Sequence, residues 1–351
     1  METIKDKIRN AKRIVVKIGT FVISRSDGTI DNEYIEELAR QISKLHDKQF
    51  ILVTSGAIGK GMKELGLKAF PRDIKLRQAC AAVGQTLLMN AYHDAFRRHG
   101  LKVAQILLTN DNFTNRTVYL NLRSTFEKLL QLKIIPIVNE NDCVSASEIG
   151  TAFGDNDRLG ALVASKINAD LLIMLSSARG LCESQGKAIK VVYEITPEIK
   201  ALAGKAGEFG LGGMKSKVEN ADMVTQAGIP VVLTFGKGKN VIANVFEGAY
   251  DTLFLPKERI SSKKSWIRMS PSKGSIIIDK GAREALKSGK NLLPAGVVNV
   301  KGNFAKGDVV DIIADSTVFA KAITDYSSEE LKGVKGKKGK NITRSENLAI
   351  L

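Results

Sequence analysis

At 351 residues the chain is long enough for two domains. A 44% hydrophobic content and a mean hydropathy of −0.05 exclude a disordered tail and a membrane-embedded bundle. Its 53 Lys and Arg against 37 Asp and Glu give a net charge of +16, which favours anionic partners and carries no information about fold.

The chain opens METIKDKIRNAKR, with no apolar core behind its charges, and no later apolar run approaches the roughly 20 residues of a spanning helix. A cytoplasmic protein is expected. Short β-rich apolar runs then alternate with longer segments of helical period, the pattern of a parallel sheet with helices on both faces. Strands are predicted at Ile14–Val16, Phe50–Val53, Val103–Leu108, Ile134–Val138, Leu171–Leu175 and Pro230–Leu233. Between the first two, DNEYIEELARQISKLHDK sets Ile35, Leu38, Ile42 and Leu45 three and four residues apart on one helix face. Further crossover helices are expected over Leu76–Arg98, Tyr119–Leu132, Asp157–Ile167 and Ser216–Ala227.

After Pro256 the texture changes. KERISSKKS reads as a polar linker, and the short strands, Gly-bounded turns and weak helical period that follow predict a small β-rich domain from about Lys263 to Leu331. LKGVKGKKGK, with five lysines in ten residues, reads as a solvated, mobile tail or loop. The expected boundaries are residues 1–256, a linker at 257–262, a second domain at 263–340 and a tail at 341–351. Residues 256–351 hold 19 basic and 10 acidic side chains, net +9, against +7 for all the rest. Cys80, Cys143 and Cys182 are far apart and form no CxxC, so neither a disulfide framework nor a zinc site is expected.

In a parallel sheet, ligands bind beyond the carboxyl ends of the strands. The first strand there runs into Lys17-Ile18-Gly19-Thr20, the second into Thr54-Ser55-Gly56-Ala57-Ile58-Gly59, and the fourth into Asn139-Glu140-Asn141-Asp142. Small residues at such turns let backbone N–H groups approach an anion, which favours a phosphate ligand. Neither GxxxxGK[ST] nor a strand leading into GxGxxG occurs, so the two common nucleotide folds are disfavoured. A glycine-rich segment, Gly210-Leu211-Gly212-Gly213-Met214-Lys215-Ser216-Lys217, instead leads into a late helix. Lys17 and Lys217 are therefore candidates to converge on one transferring phosphoryl group. Taken singly, each feature also has a structural explanation: a surface lysine, a helix entry, and a turn with an Asx N-cap at Gly154-Asp155-Asn156-Asp157.

KIGT, VTSGAIGKG, AAVGQ, QILLT, YLNLRST, IPIVNENDCV, FGDNDRLGALVA and GLGGMKSK follow one another as in the glutamate 5-kinase branch of the amino-acid kinases, which the chain resembles over nearly its whole length. IIIDKGAREAL, GKNLLPAGVVNVKGNFAKGDVV and DYSSEEL resemble the PUA domain appended to many bacterial members. The resemblance implies an α/β fold, an αβα sandwich of the carbamate kinase-like type, plus a small β-rich PUA domain. It also implies transfer of the ATP γ-phosphoryl group to the side-chain carboxylate of L-glutamate, opening proline biosynthesis.

By that resemblance Lys17 and Lys217 neutralise the transferring group, and Asp155 is the carboxylate held between them, an organiser and not a base. Glutamate recognition falls to Ser55, Asn139, Asp142 and Asn156, with Asp142 facing the substrate ammonium. The nucleotide falls to Lys17, Gly19, Ser176, Ser177, Leu211, Gly212, Gly213, Met214, Lys215, Ser216 and Lys217. Mg²⁺ would bridge ATP phosphates and keep several waters, so no protein metal ligand is assigned. Ser176-Ser177 stand where the family usually has Thr-Asp, Leu211 where it has Thr, and Thr20-Phe21 where it has a small hydroxyl pair. Family members are commonly homo-oligomers, here dimer or tetramer, inhibited by proline. Two rival readings remain: an amino-acid kinase with another carboxylate, carbamate or phosphate acceptor, and an RNA-binding PUA protein whose kinase domain has decayed. The +9 of the C-terminal part would suit RNA phosphates, whereas a single tryptophan, Trp266, offers little for base stacking.

Overall fold

The structure, a computed structural model, describes residues 4–144, 156–183, 186–204, 213–257, 262–337 and 339–351. It divides into two compact units, Met1–Arg259 and Ile260–Leu351.

The first unit is built on one eight-stranded sheet: β1 Arg13–Ile18, β2 Gln49–Val53, β3 Lys102–Leu108, β4 Ile134–Glu140, β5 Leu171–Ser176, β6 Val191–Val192, β7 Val231–Phe235 and β8 Thr252–Phe254, in the spatial order β3-β4-β2-β1-β5-β7-β8-β6. Every pairing is parallel except β7 with β8. Strands covered on both faces read as continuous apolar runs, and β5 is buried at every position. The helices are α1 Ile4–Asn10, α2 Thr20–Ile23, α3 Asn32–Ser43, α4 Ala57–Glu64, α5 Ile74–Arg98, α6 Arg116–Gln131, α7 Asn156–Lys166, α8 Pro197–Gly204, α9 Met214–Gln226 and α10 Val241–Phe246.

The crossover helices start where side chains cap them. Asp31 accepts from the Tyr34 N–H, Asp73 from those of Lys75 and Leu76, and Asn115 from that of Val118. Ile35, Leu38 and Ile42 on α3 enter the core as their spacing predicts, while Leu45 falls beyond the helix end and packs on the core half-buried. The sequence reading did not include α4, whose AIGKGMKE carries two glycines. Its glycine has a packing cause: a Cβ on Gly61 would lie 1.8 Å from the Cys80 carbonyl oxygen, and one on Gly84 of α5 would lie 1.8 Å from that of Ala57. The two helices thus touch backbone to backbone.

The second unit has its own five-stranded sheet, β9 Gly274–Ile278, β10 Val297–Gly302, β11 Val309–Ala314, β12 Thr317–Ile323 and β13 Leu348–Ile350, ordered β10-β9-β11-β12-β13. Three helices go with it: α11 Ser262–Met269, α12 Lys280–Lys287 and α13 Ser328–Val334. Its core includes Ile276, Val310, Ile312, Ala320, Leu331, Ile342 and Leu348. Two expectations are corrected here. Residues 341–351 are not a tail: β13 pairs antiparallel with β12, and Ile342, Leu348 and Ala349 are buried. The lysine run does not begin a loop either, because Ser327 and Glu330 form a capping box that starts α13 and Leu331 is fully buried inside it. The expected linker at 257–262 ends in α11, whose Trp266 and Ile267 are buried; residues 258–261 lie outside the described segments.

Candidate active site

Lys17 is the fifth residue of β1, paired in register with Val53 of β2 and Met174 of β5. Its aliphatic stem runs along α7 at Gly160, where a Cβ would lie 3.2 Å from Lys17 Cβ and Cγ. Glycine at that position leaves room for the lysine. One turn earlier on the same helix sits Asp157, 1% exposed. Its Oδ1 is 2.5 Å from Lys17 Nζ, and its Oδ2 is 3.1 Å from Nζ of Lys217, in the first turn of α9.

Burial alone would raise the Asp157 pKa, but the charges and hydrogen bonds of Lys17 and Lys217 outweigh it and hold the carboxyl below its ordinary value. Asp157 is therefore an ionised carboxylate joining two ammonium groups, leaving the cluster with one net positive charge. The carboxylate that the structure places between the lysines is Asp157; the expected Asp155 lies outside the described residues. Helix α7 begins at Asn156, so Asn156 and Asp157 share the first turn and both turn toward the sheet, where they are buried.

A second group of polar residues lies at the carboxyl ends of β2 and β4. Gly56, with φ +95°, turns the chain from β2 into α4. Ser55 donates its hydroxyl to the Ile18 carbonyl (3.0 Å) and accepts from Thr20 Oγ1 (3.0 Å). Asn156 Nδ2 donates to the Thr54 carbonyl (2.8 Å) and to Asn139 Oδ1 (3.2 Å), and Asn139 Nδ2 donates to Gln85 Oε1 (2.7 Å). Thr54 Oγ1 is 2.9 Å from the Tyr92 hydroxyl. Asp142, past the end of β4, is buried; desolvation and then the nearby charge of Glu140 push its pKa up to about 7. The structure therefore brings Ser55, Asn139 and Asn156 into one hydrogen-bonded region.

On the other side of Lys17, the Gly19 N–H donates to the Leu175 carbonyl (3.1 Å), joining the ends of β1 and β5. Ser176 Oγ accepts from the Ala178 N–H and closes the turn after β5, while Ser177 is exposed. Nearby, the Arg179 guanidinium lies 4.8 Å from the centre of the Phe235 ring. Gly213 caps α9 without a side-chain hydrogen bond, so the first N–H groups of Met214, Lys215 and Ser216 are oriented to receive an anion. Ser216 is tied back by Asn220 Nδ2. Leu211 and Gly212 lie outside the described residues.

Sequence reasoning missed Asp157, Gly160 and Gln85. The second aspartate of GDND was visible, but its role depends on where the helix starts. Gln85 left a signal in AAVGQ, a carboxamide directly after a glycine on the buried face of a helix.

The sequence profile of the Amino acid kinase family matches residues 12–234, and that of the PUA domain matches residues 274–345. A glutamate 5-kinase of Methanococcoides burtonii is 45% identical over 349 residues, covering 96% of this chain and 93% of its own. One of Aquifex aeolicus is 42% identical over 342 residues, covering 95% of each. Among solved structures, a carbamate kinase from Giardia lamblia bound to AMP-PNP matches 71% of this chain and all of its own, with a TM-score of 0.51 at 15% identity, and so shares the fold.

Proposed function

The chain belongs to the amino acid kinase family and carries a PUA domain behind its kinase unit, and from that premise we propose that it transfers the γ-phosphoryl group of ATP to the side-chain carboxylate of L-glutamate. The product is γ-glutamyl phosphate, and the step opens proline biosynthesis. The observation that carries the proposal is the buried Lys17–Asp157–Lys217 cluster, with the hydrogen-bonded carboxamides of Asn139 and Asn156 beside it.

A glutamate side chain is ionised at neutral pH, so its oxygen attacks without a general base. A bond forms from that oxygen to the γ-phosphorus, the bond from phosphorus to the β,γ-bridging oxygen breaks, and ADP leaves with the electron pair. Lys17 and Lys217 offset the charge that spreads over the transferring group, and Asp157 holds the two ammonium groups in fixed positions. The open N-terminus of α9 suits the nucleotide phosphates. Asp142 suits the substrate ammonium, and Asn139 and Asn156 suit its polar groups.

Among the described residues no three Asp, Glu, His or Cys side chains converge as a metal site, and Asp157 is committed to two lysines. A Mg²⁺ ion bound with ATP would supply further charge neutralisation, and no protein ligand is assigned to it. The intact lysine–aspartate cluster also favours a working kinase over a decayed one. Trp266, buried in the second unit, is not displayed for base stacking, and we assign the PUA domain to assembly or regulation in preference to RNA binding. The same reading includes a homo-oligomer, inhibition by proline near the acceptor pocket, and residence in the cytoplasm; among the described residues no helix is long and apolar enough to cross a membrane.

The test is capture of the acyl phosphate by hydroxylamine. Hydroxamate should form with ATP and L-glutamate and stay near background with L-aspartate; equal yields from both acids would remove the acceptor assignment.

A further inference from the structure

Three carboxamides, those of Gln85, Asn139 and Asn156, lie end to end in the acceptor region, each less than a tenth exposed. A carboxamide has one donor end and one acceptor end, so a chain of them has a direction that something must set. Here the Thr54 backbone carbonyl sets it. That carbonyl only accepts, so Nδ2 of Asn156 faces it (2.8 Å). The same Nδ2 meets Oδ1 of Asn139 (3.2 Å), which turns the Asn139 Nδ2 the other way, onto Oε1 of Gln85 (2.7 Å). The shorter of the two bonds to Asn139 is the one made by Gln85.

What the chain leaves over has a definite pattern. Asn156 Oδ1, and Gln85 Nε2 at the far end of the chain, are buried with no hydrogen-bond partner among the described residues, and its one bond to Gln85 leaves Asn139 a second Nδ2 hydrogen. An acceptor beside a donor, both withdrawn from water, is what the ammonium and carboxylate of an α-amino acid would occupy, and a buried group left unmatched is costly. Reversing the Asn139 amide would replace that donor by an oxygen and set nitrogen against nitrogen at Asn156.

The position of Gln85 is itself fixed by backbone packing. The residue before it, Gly84, lets α5 lie against Ala57 of α4, where a Cβ would come within 1.8 Å of the carbonyl oxygen. Ala57 follows Ser55-Gly56, so the helix that carries Gln85 is seated directly on the turn that lines the pocket. Gln85 also stands among apolar neighbours on the buried face of α5, which includes Cys80, Ala81, Leu88 and Tyr92.

We infer that Gln85 is a positioning residue of the acceptor region, which acts through Asn139 by accepting from its Nδ2 and so holding the amide in the orientation that Thr54 and Asn156 set for the amino-acid substrate. The inference rests on the glutamate reading above and adds to it a residue on a helix that the strand-end motifs do not include.

A double-mutant cycle in the full-length protein tests it, with glutamate-dependent hydroxamate formation as the assay. Gln85→Met keeps length and removes the oxygen. Its KM for glutamate is expected to rise about tenfold, the size expected for losing one buried hydrogen bond, with kcat at saturating glutamate and the KM for ATP changed less than about threefold. In an Asn139→Ala background the same substitution should change the glutamate KM by less than about twofold, because the residue it acts through is gone. Gln85→Glu, which retains an oxygen for Asn139 Nδ2, should lie closer to the parent than Gln85→Met does. An unchanged KM in Gln85→Met, a full tenfold effect in the Asn139→Ala background, or the reverse order of the Glu and Met variants would overturn the inference. Parent enzyme that forms no hydroxamate from glutamate would instead remove the glutamate reading itself.

Discussion

Asp157, buried, sits between two ammonium groups, a setting where removing one charge leaves the others poorly compensated. In the proposed mechanism Lys217 acts as charge builds on the transferring group, so Lys217→Ala should lower kcat by about 10²–10³ while the glutamate KM moves less than about twofold. Steady-state kinetics check this, and an unchanged kcat would place Lys217 outside the reaction. The role proposed for Asp142 would depend on pH. Burial and the Glu140 charge put its pKa at about 7, so below that value it is protonated and cannot offset a substrate ammonium. The glutamate KM should therefore rise as pH falls, by about tenfold between pH 8 and pH 6 for a single group titrating near 7. Asp142→Asn should show a high KM with that dependence removed. A parent profile that is flat over this range would make Asp142 structural.

The six longer strands and the crossover helices were legible in the sequence because each is a run of one period: IVV, FILV and LLIML for buried strands, and Ile35, Leu38 and Ile42 for α3. What stayed hidden was set by contacts between elements. The two-residue β6 and three-residue β8 are too short to show a period, and the glycines of α4 look like turn residues until α5 is laid against them. In the site, Lys17 and Lys217 could be picked out by motif, but the place of Asp157 between them depended on the first residue of α7. The α4–α5 contact carries its own prediction. Gly84→Ala would place a methyl group 1.8 Å from a backbone oxygen, so the helices must separate, at about 1–3 kcal/mol of stability. Thermal melting should show a lower Tm together with a raised glutamate KM, since Ser55 and Gln85 are seated by this contact. A variant that melts with the parent would mean that the two helices are not locked together.

At the scale of the molecule, two units with separate cores carry one tryptophan between them, and it lies in the second. Trp266 emission therefore reports on the second unit. Truncation after Lys340 removes β13 and the buried Ile342, Leu348 and Ala349, and should shift that emission to the red as the sheet edge opens; an unchanged spectrum would show those residues to be dispensable. For the kinase unit, the central claim is that an oxygen of the glutamate side chain becomes bonded to phosphorus. The most direct measurement uses L-glutamate carrying ¹⁸O in its side-chain carboxylate, with ATP and hydroxylamine, followed by mass analysis of the released phosphate. Hydroxylamine attacks the acyl carbon, so each turnover should deliver one ¹⁸O into phosphate. Phosphate released at the same rate without label would mean that water, not glutamate, takes the phosphoryl group, and would contradict the account.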